Sequence, residues 1–278
     1  TAFEIMPSLV GSEMCIRDRA WFIDKDQFGD DLNYLKAEKI RILQIILGYG
    51  YFLFHGSIFW GWFNMLIFVL IAIIVSTINE IIGSKYGLIF GGEYRYDPKS
   101  TPGPMIYNIP LIIPIVWSGL IYMGLNYSSF INNAMITVVS FQKVIPLIIL
   151  AGFLLVVLDM VLDPIAVDEN RWSWANPGTY YGVPLLNFFG WFLTVTMILF
   201  IFFSIHIPTI DLTETSFFLK YSPGIFFAIL PAIAARPCYE RGLTVPGHIG
   251  LSSSLILMIA MVLRYINCLL YTSPSPRD

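Results

Sequence analysis

Residues 63–82 read FNMLIFVLIAIIVSTINEII, a run that carries a single ionisable side chain, Glu80. A helix rises about 1.5 Å per residue, so this stretch spans the roughly 30 Å of hydrocarbon in a bilayer core. The rest of the chain has the same character. It is 56% hydrophobic, 16% aromatic and only 13% charged, with a mean hydropathy of +0.71. A soluble domain carries about a quarter charged residues. Lipid is therefore the solvent for most of this protein.

On either side of that run, apolar stretches at 42–60, 105–125, 144–162, 184–207, 222–235 and 249–267 bring the expected count to seven spans, an all-α polytopic membrane bundle. Only Trp60-Gly61-Trp62 separates the first two spans. The run 222–235 is short, between Pro223 and Arg236, and reads as tilted, broken or re-entrant. Gly83, Gly87 and Gly91 recur every four residues, a spacing that permits close helix packing.

Charge fixes an expected orientation. With seven crossings, ten of the thirteen Lys and Arg in 20–267 fall on one side and three, Lys143, Lys220 and Arg264, on the other. The positive-inside bias makes the larger set cytoplasmic. It places the loops 83–104, 163–183 and 236–248 on the cytoplasmic face of the cell membrane. Without a crossing at 42–60 the split becomes six against seven, so the bias supports seven.

Both ends read as foreign. Cys268–Asp278, CLLYTSPSPRD, and Leu9–Arg19 match translations of complementary strands of a common sequencing adapter. The expectation is therefore an adapter-like stretch at 1–19, one transmembrane domain at 20–267 truncated at its natural termini, and a second adapter-like stretch at 268–278. Removing three basic and four acidic residues from 16 and 19 leaves 13 and 15. That balance gives no reason to expect nucleic acid as a partner. Cys238 is then the only cysteine, which allows neither an internal disulfide nor a two-cysteine metal site.

Ionisable groups at membrane depth are expensive, and each is a functional candidate. Glu80, Asp159 and Asp163 are the three, all expected at similar depth near one face. Asp159 and Asp163 are four apart, hence on one helical face, just before Pro164, which is expected to end the fourth span. Two carboxyls so close in a low dielectric do not both ionise readily, and one remains a neutral acid able to donate a proton. Aromatic residues follow each of them: Tyr94 and Tyr96 after Glu80; Trp172, Trp174, Tyr181 and Trp191 after Asp163. An interfacial aromatic belt accounts for some of these. Ring faces beside an acid also suit the stabilisation of a carbocation. Asn187 and Trp191, four apart, share a helical face and can contact a ligand; an interhelical hydrogen bond from Asn187 is the alternative. His55, His206 and His248 are scattered, so no metal centre is expected. No nucleotide-binding glycine motif is present, and the last span lacks the Lys a retinal Schiff base requires.

Two ordered blocks carry a family likeness. They are EIIGSKYGLIFGGEYRYDPKSTPGPMIYNIPLIIPIVW, from Glu80, and LDMVLDPIAVDENRWSWANPGTYYGVPLLNFFGWF, from Leu158. Together they resemble membrane carotenoid-biosynthesis proteins, a group that includes bisanhydrobacterioruberin hydratase and carotenoid 1′,2′-hydratases. The resemblance covers about 60–207 and implies cofactor-free addition of water to the terminal C=C of an acyclic carotenoid. Glu80, Asp159 and Asp163 would act as catalytic carboxyls. Tyr94, Tyr96, Trp172, Trp174, Tyr181, Asn187 and Trp191 would surround the substrate. Membrane lipid, an acyclic carotenoid and other carotenoid enzymes are the partners it implies. Three other readings stay open. A lycopene elongase-like prenyltransferase fits the Asp159–Asp163 spacing but needs a second Asp-rich motif, which spans two and three lack. A lycopene cyclase would use the same acid chemistry without water. A carotenoid-binding or transport protein would do no chemistry.

Overall fold

The structure is a computed structural model and describes residues 31–101, 103–132, 141–205 and 216–272. Residues 1–19 and 273–278 of the adapter-like stretches lie outside the described residues, as does His206. The chain divides into two units, Thr1–Tyr51 and Phe52–Asp278. The described residues of the first belong to helix α1 (Asp31–Trp60), whose last turns enter the second.

The remaining elements, all in the second unit, are α2 (Trp62–Tyr86), β1 (Tyr94–Tyr96), β2 (Met105–Ile106), β3 (Ile109–Pro110), α3 (Ile112–Ile131), α4 (Phe141–Asp168), β4 (Trp172–Trp174), α5 (Leu185–Ile205), α6 (Phe217–Glu240) and α7 (Thr244–Thr272). Six of the seven described helices are long and apolar enough to cross a membrane, as expected of an all-α, multi-pass membrane protein. The seventh, α3, carries no charged residue and buries the polar side chains Ser118, Tyr122, Tyr127, Ser128 and Ser129. Its polar atoms are satisfied by neighbours: Ser128 Oγ donates to the Leu147 carbonyl at 2.9 Å and Tyr127 to the Leu257 carbonyl at 2.9 Å. Such a helix is stable in a bilayer only when other helices surround it. Around it, α2 and α4 each pack against both α3 and α5, which closes a ring of four helices. The pair α6 and α7 packs against α3 and α4.

Four sequence expectations change. The third span starts at Ile112 rather than 105, because Met105–Ile106 and Ile109–Pro110 pair as a short hairpin. Its turn residues Tyr107 and Asn108 have φ of 50° and 66°, the left-handed geometry that tight hairpins require. The sixth span is an uninterrupted helix of 24 residues despite Pro223, Pro231 and Pro237. Pro164 does not end α4, which continues to Asp168. Finally, Gly83, Gly87 and Gly91 do not form a helix-packing stripe. Gly87 caps α2 in the left-handed conformation, φ 65°, so the helix stops there.

Two of the helix prolines, Pro164 and Pro223, are accommodated with the help of side chains from other elements. A proline at position i removes the donor for the carbonyl at i−4. Pro164 thus orphans the Met160 carbonyl, and the Tyr180 hydroxyl donates to it at 2.9 Å. Pro223 removes the helical donor for the Leu219 carbonyl, which accepts instead from His55 Nε2 at 2.7 Å and from Ser222 Oγ at 2.9 Å. That bond leaves Nδ1 of His55 to accept from the Tyr122 hydroxyl at 2.6 Å. One residue on, the Asn126 amide takes the place of a missing helical bond: Nδ2 donates to the Lys220 carbonyl at 3.1 Å, and Oδ1 accepts from Gly224 N at 2.9 Å.

Candidate functional site

Glu80 lies in the last two turns of α2 and is buried. Three groups donate to its carboxyl. The hydroxyls of Tyr94 and Tyr96 both reach Oε2, the latter at 2.8 Å, and Trp117 Nε1 reaches Oε1 at 3.1 Å. Burial, followed by the charge of Glu80, pushes both tyrosine hydroxyls well above the ordinary phenol range. Both therefore keep their hydrogens and remain donors.

Alternation along β1 explains why both rings face one way. Tyr94 and Tyr96 are two apart and so lie on one face of the strand. The antiparallel partner β4 sets Trp174 opposite Tyr94 and Trp172 opposite Tyr96. The ring centroids of these pairs are 5.5 Å and 5.6 Å apart. Trp174 is pinned further by its indole N–H, which donates to the Phe90 carbonyl at 2.9 Å. Two loops far apart in sequence thus make one aromatic roof.

The roof is clamped from outside by charge. Arg241, at the end of α6, contacts Asp168 Oδ2 at 2.8 Å and Glu169 Oε1 at 2.9 Å. Arg171 pairs with Glu169 and donates to the Ser100 carbonyl at 2.8 Å. Gly190 allows α5 to approach from the side: a Cβ there would sit 2.6 Å from the Ile89 carbonyl oxygen.

The second acidic group comes from α4. Asp159 and Asp163 are buried on one helical face, as their spacing requires. One nitrogen, Asn187 Nδ2 of α5, donates to both, at 2.9 Å to Asp159 Oδ2 and 2.7 Å to Asp163 Oδ2. Asp159 Oδ1 is buried and has no hydrogen-bond partner among the described residues. Glu80 accepts from three donors, whereas the two aspartates share one. A hydrogen carried by one of the two aspartates supplies the missing donor.

Both acidic groups meet at a cavity of about 110 Å³ in one end of the four-helix ring. Glu80, Asp163 and Asn187 contribute its polar atoms together with the two tyrosines. Its walls include Trp172, Trp174 and Trp191. Of the sequence candidates, Asp159 lies one turn behind Asp163, outside the lining, and shares the Asn187 amide with it. Tyr181 is not in the lining; its hydroxyl accepts a 3.4 Å bond from Val245 N.

Sequence reasoning missed Trp117, Phe90 and Leu162 as lining residues. Trp117 both donates to Glu80 and stacks on Trp191, with centroids 4.0 Å apart and 25° between planes. The signal is present in the block that starts at Glu80, where an indole after an apolar run reads as the close of a span. It falls instead within the first two turns of α3.

A family model described as carotenoid biosynthesis protein matches residues 40–257. That range contains every residue of the cavity. No curated protein and no solved structure matches the chain.

Proposed function

Because the chain belongs to the carotenoid biosynthesis protein family, we propose that it is a carotenoid hydratase, adding water to the terminal C=C of an acyclic carotenoid. The observation that carries this reading is the opposition of two unlike acidic groups across one aromatic cavity. Glu80 accepts from three donors, whereas Asp163 shares the single amide of Asn187 with Asp159; on this reading Asp163 is the acid.

In the reaction, Asp163 protonates the alkene carbon that leaves the tertiary cation at the dimethyl-bearing carbon. Trp117, Trp174 and Trp191 present ring faces to that cation. Water attacks it and passes its surplus proton to Glu80. The aspartate pair has then lost one proton and Glu80 gained one, so transfer from Glu80 back to the pair through water in the cavity restores the site. No cofactor enters this scheme. The protein sits in the cytoplasmic membrane with the roof loops on the cytoplasmic side, as the excess of Lys and Arg there supports.

The test is pigment mass analysis in a host that accumulates lycopene or bisanhydrobacterioruberin. The wild type adds the mass of one water per modified end, and Asp163→Asn and Glu80→Gln each abolish the gain. Hydration retained by both variants at normal expression would sink the assignment. A product of unchanged mass and altered retention would identify a cyclase. Unaltered pigment bound by well-folded protein would identify a carrier.

A further inference from the structure

Outside the inner cavity lies a larger cleft of about 690 Å³. Ile81, Ser84 and Tyr86 of α2 form one side, Glu93 before β1 and Arg95 within it contribute the charged groups, and Met105 and Asn108 of the β2–β3 hairpin form the other. Tyr94 and Tyr96 line both spaces, so this part of β1 is a shared wall. The inner cavity, about 110 Å³, has to hold both the end group and the water that attacks it. A supply of water at its boundary meets that need.

The composition of the boundary says where. Phe90, Leu120, Leu162 and the tryptophans give most of the lining an apolar surface. At the shared wall the polar atoms are the Tyr94 and Tyr96 hydroxyls, and both bond to Oε2 of Glu80. Water that passes this wall meets the proposed base at the moment it reaches the cation. Tyr94 is almost fully buried, while Tyr96 is partly exposed.

We infer that the outer cleft is the loading chamber for the co-substrate water, and that it delivers water past Tyr96 to Glu80. The inference rests on the hydratase reading, and one experiment separates the two. In heavy water, an acid equilibrated with solvent places deuterium on the alkene carbon. The resulting cation has two fates. It captures water and becomes the alcohol, or it loses a proton to Glu80 and returns as deuterated alkene. The ratio of alcohol to deuterated alkene therefore reports water supply independently of protonation.

Bulky side chains that fill the cleft, Ser84→Phe on one side and Met105→Trp on the other, are expected to lower that ratio about tenfold, with deuterium exchange retained. The ratio is internal to each sample, so partial loss of folded protein does not change its meaning. An unchanged ratio in both variants overturns the cleft as the water route. Wild-type protein that yields neither alcohol nor exchange overturns the hydratase reading itself, and the inference with it.

Discussion

Replacing Tyr96 with Phe removes one hydroxyl and leaves the ring where it is. The centroid contacts with Trp172 at 5.6 Å and Tyr94 at 5.7 Å do not involve the oxygen. What disappears is a 2.8 Å bond to Oε2 of Glu80. A hydrogen bond to a charged group contributes about 1.5–3 kcal/mol. Tyr94 still donates to the same oxygen and Tyr96 is only partly buried, so the loss falls near 1.5 kcal/mol. That is roughly tenfold in the equilibrium constant that favours Glu80 as the anion with the hydrogen on the aspartate pair. Turnover is expected to fall by up to the same factor. The assay is initial rate of alcohol formation in membranes or detergent, normalised to folded protein and paired with a melting curve. A rate within about twofold of wild type would show that this bond has no hold on the reaction, and the division of roles between Glu80 and the aspartates would be wrong.

Two further variants test the scaffold. Tyr180→Phe leaves the Met160 carbonyl without the donor that replaces the one Pro164 lacks. A buried unsatisfied carbonyl costs about 1–3 kcal/mol, a drop measurable as a lower melting temperature in detergent. In a Pro164→Ala background the helix regains its own donor, so the same Tyr180→Phe change is expected to have almost no effect; an equal loss in both backgrounds would refute the account. Gly190→Ala pushes a methyl to within 2.6 Å of the Ile89 carbonyl. Overpacking of this kind costs about 1–3 kcal/mol, and hydration should fall together with stability because Phe90 anchors Trp174.

The bilayer-spanning character and the three acidic residues were legible in the sequence because both follow from local composition. Glu80 stands out in 63–82 since nothing else there ionises. The Asp159–Asp163 face follows from helical periodicity, and so does the shared face of Asn187 and Trp191. Less legible was anything decided by partners far apart in the chain. Trp117 gains its role from Glu80, thirty-seven positions earlier, and from the ring of Trp191. Pro164 reads as a stop when its helix is considered alone; the donor that lets α4 continue is Tyr180. Likewise, 105–125 reads as a span because its apolar residues run together, while Tyr107 and Asn108 turn the first of them into a hairpin. Tyr181 illustrates the opposite error. It lies in an aromatic run, yet its positive φ turns it away toward the start of α7.

The borrowed donors at Met160 and Leu219 also bear on how the protein is made. Taken alone in lipid, α4 carries at Met160 a carbonyl whose donor lies outside the helix, whereas in α6 the Leu219 carbonyl has Ser222 Oγ of the same helix at 2.9 Å and gains His55 as a second donor. The α4 donor, Tyr180, is synthesised after α4 has emerged, whereas the α6 donor, His55, precedes α6 by most of the chain. Insertion therefore leaves α4 incomplete until the following loop folds back, while α6 finds His55 already in place. Biogenesis acquires a direction: the aromatic roof and the second half of the bundle close together, and the cavity takes shape only when both are present.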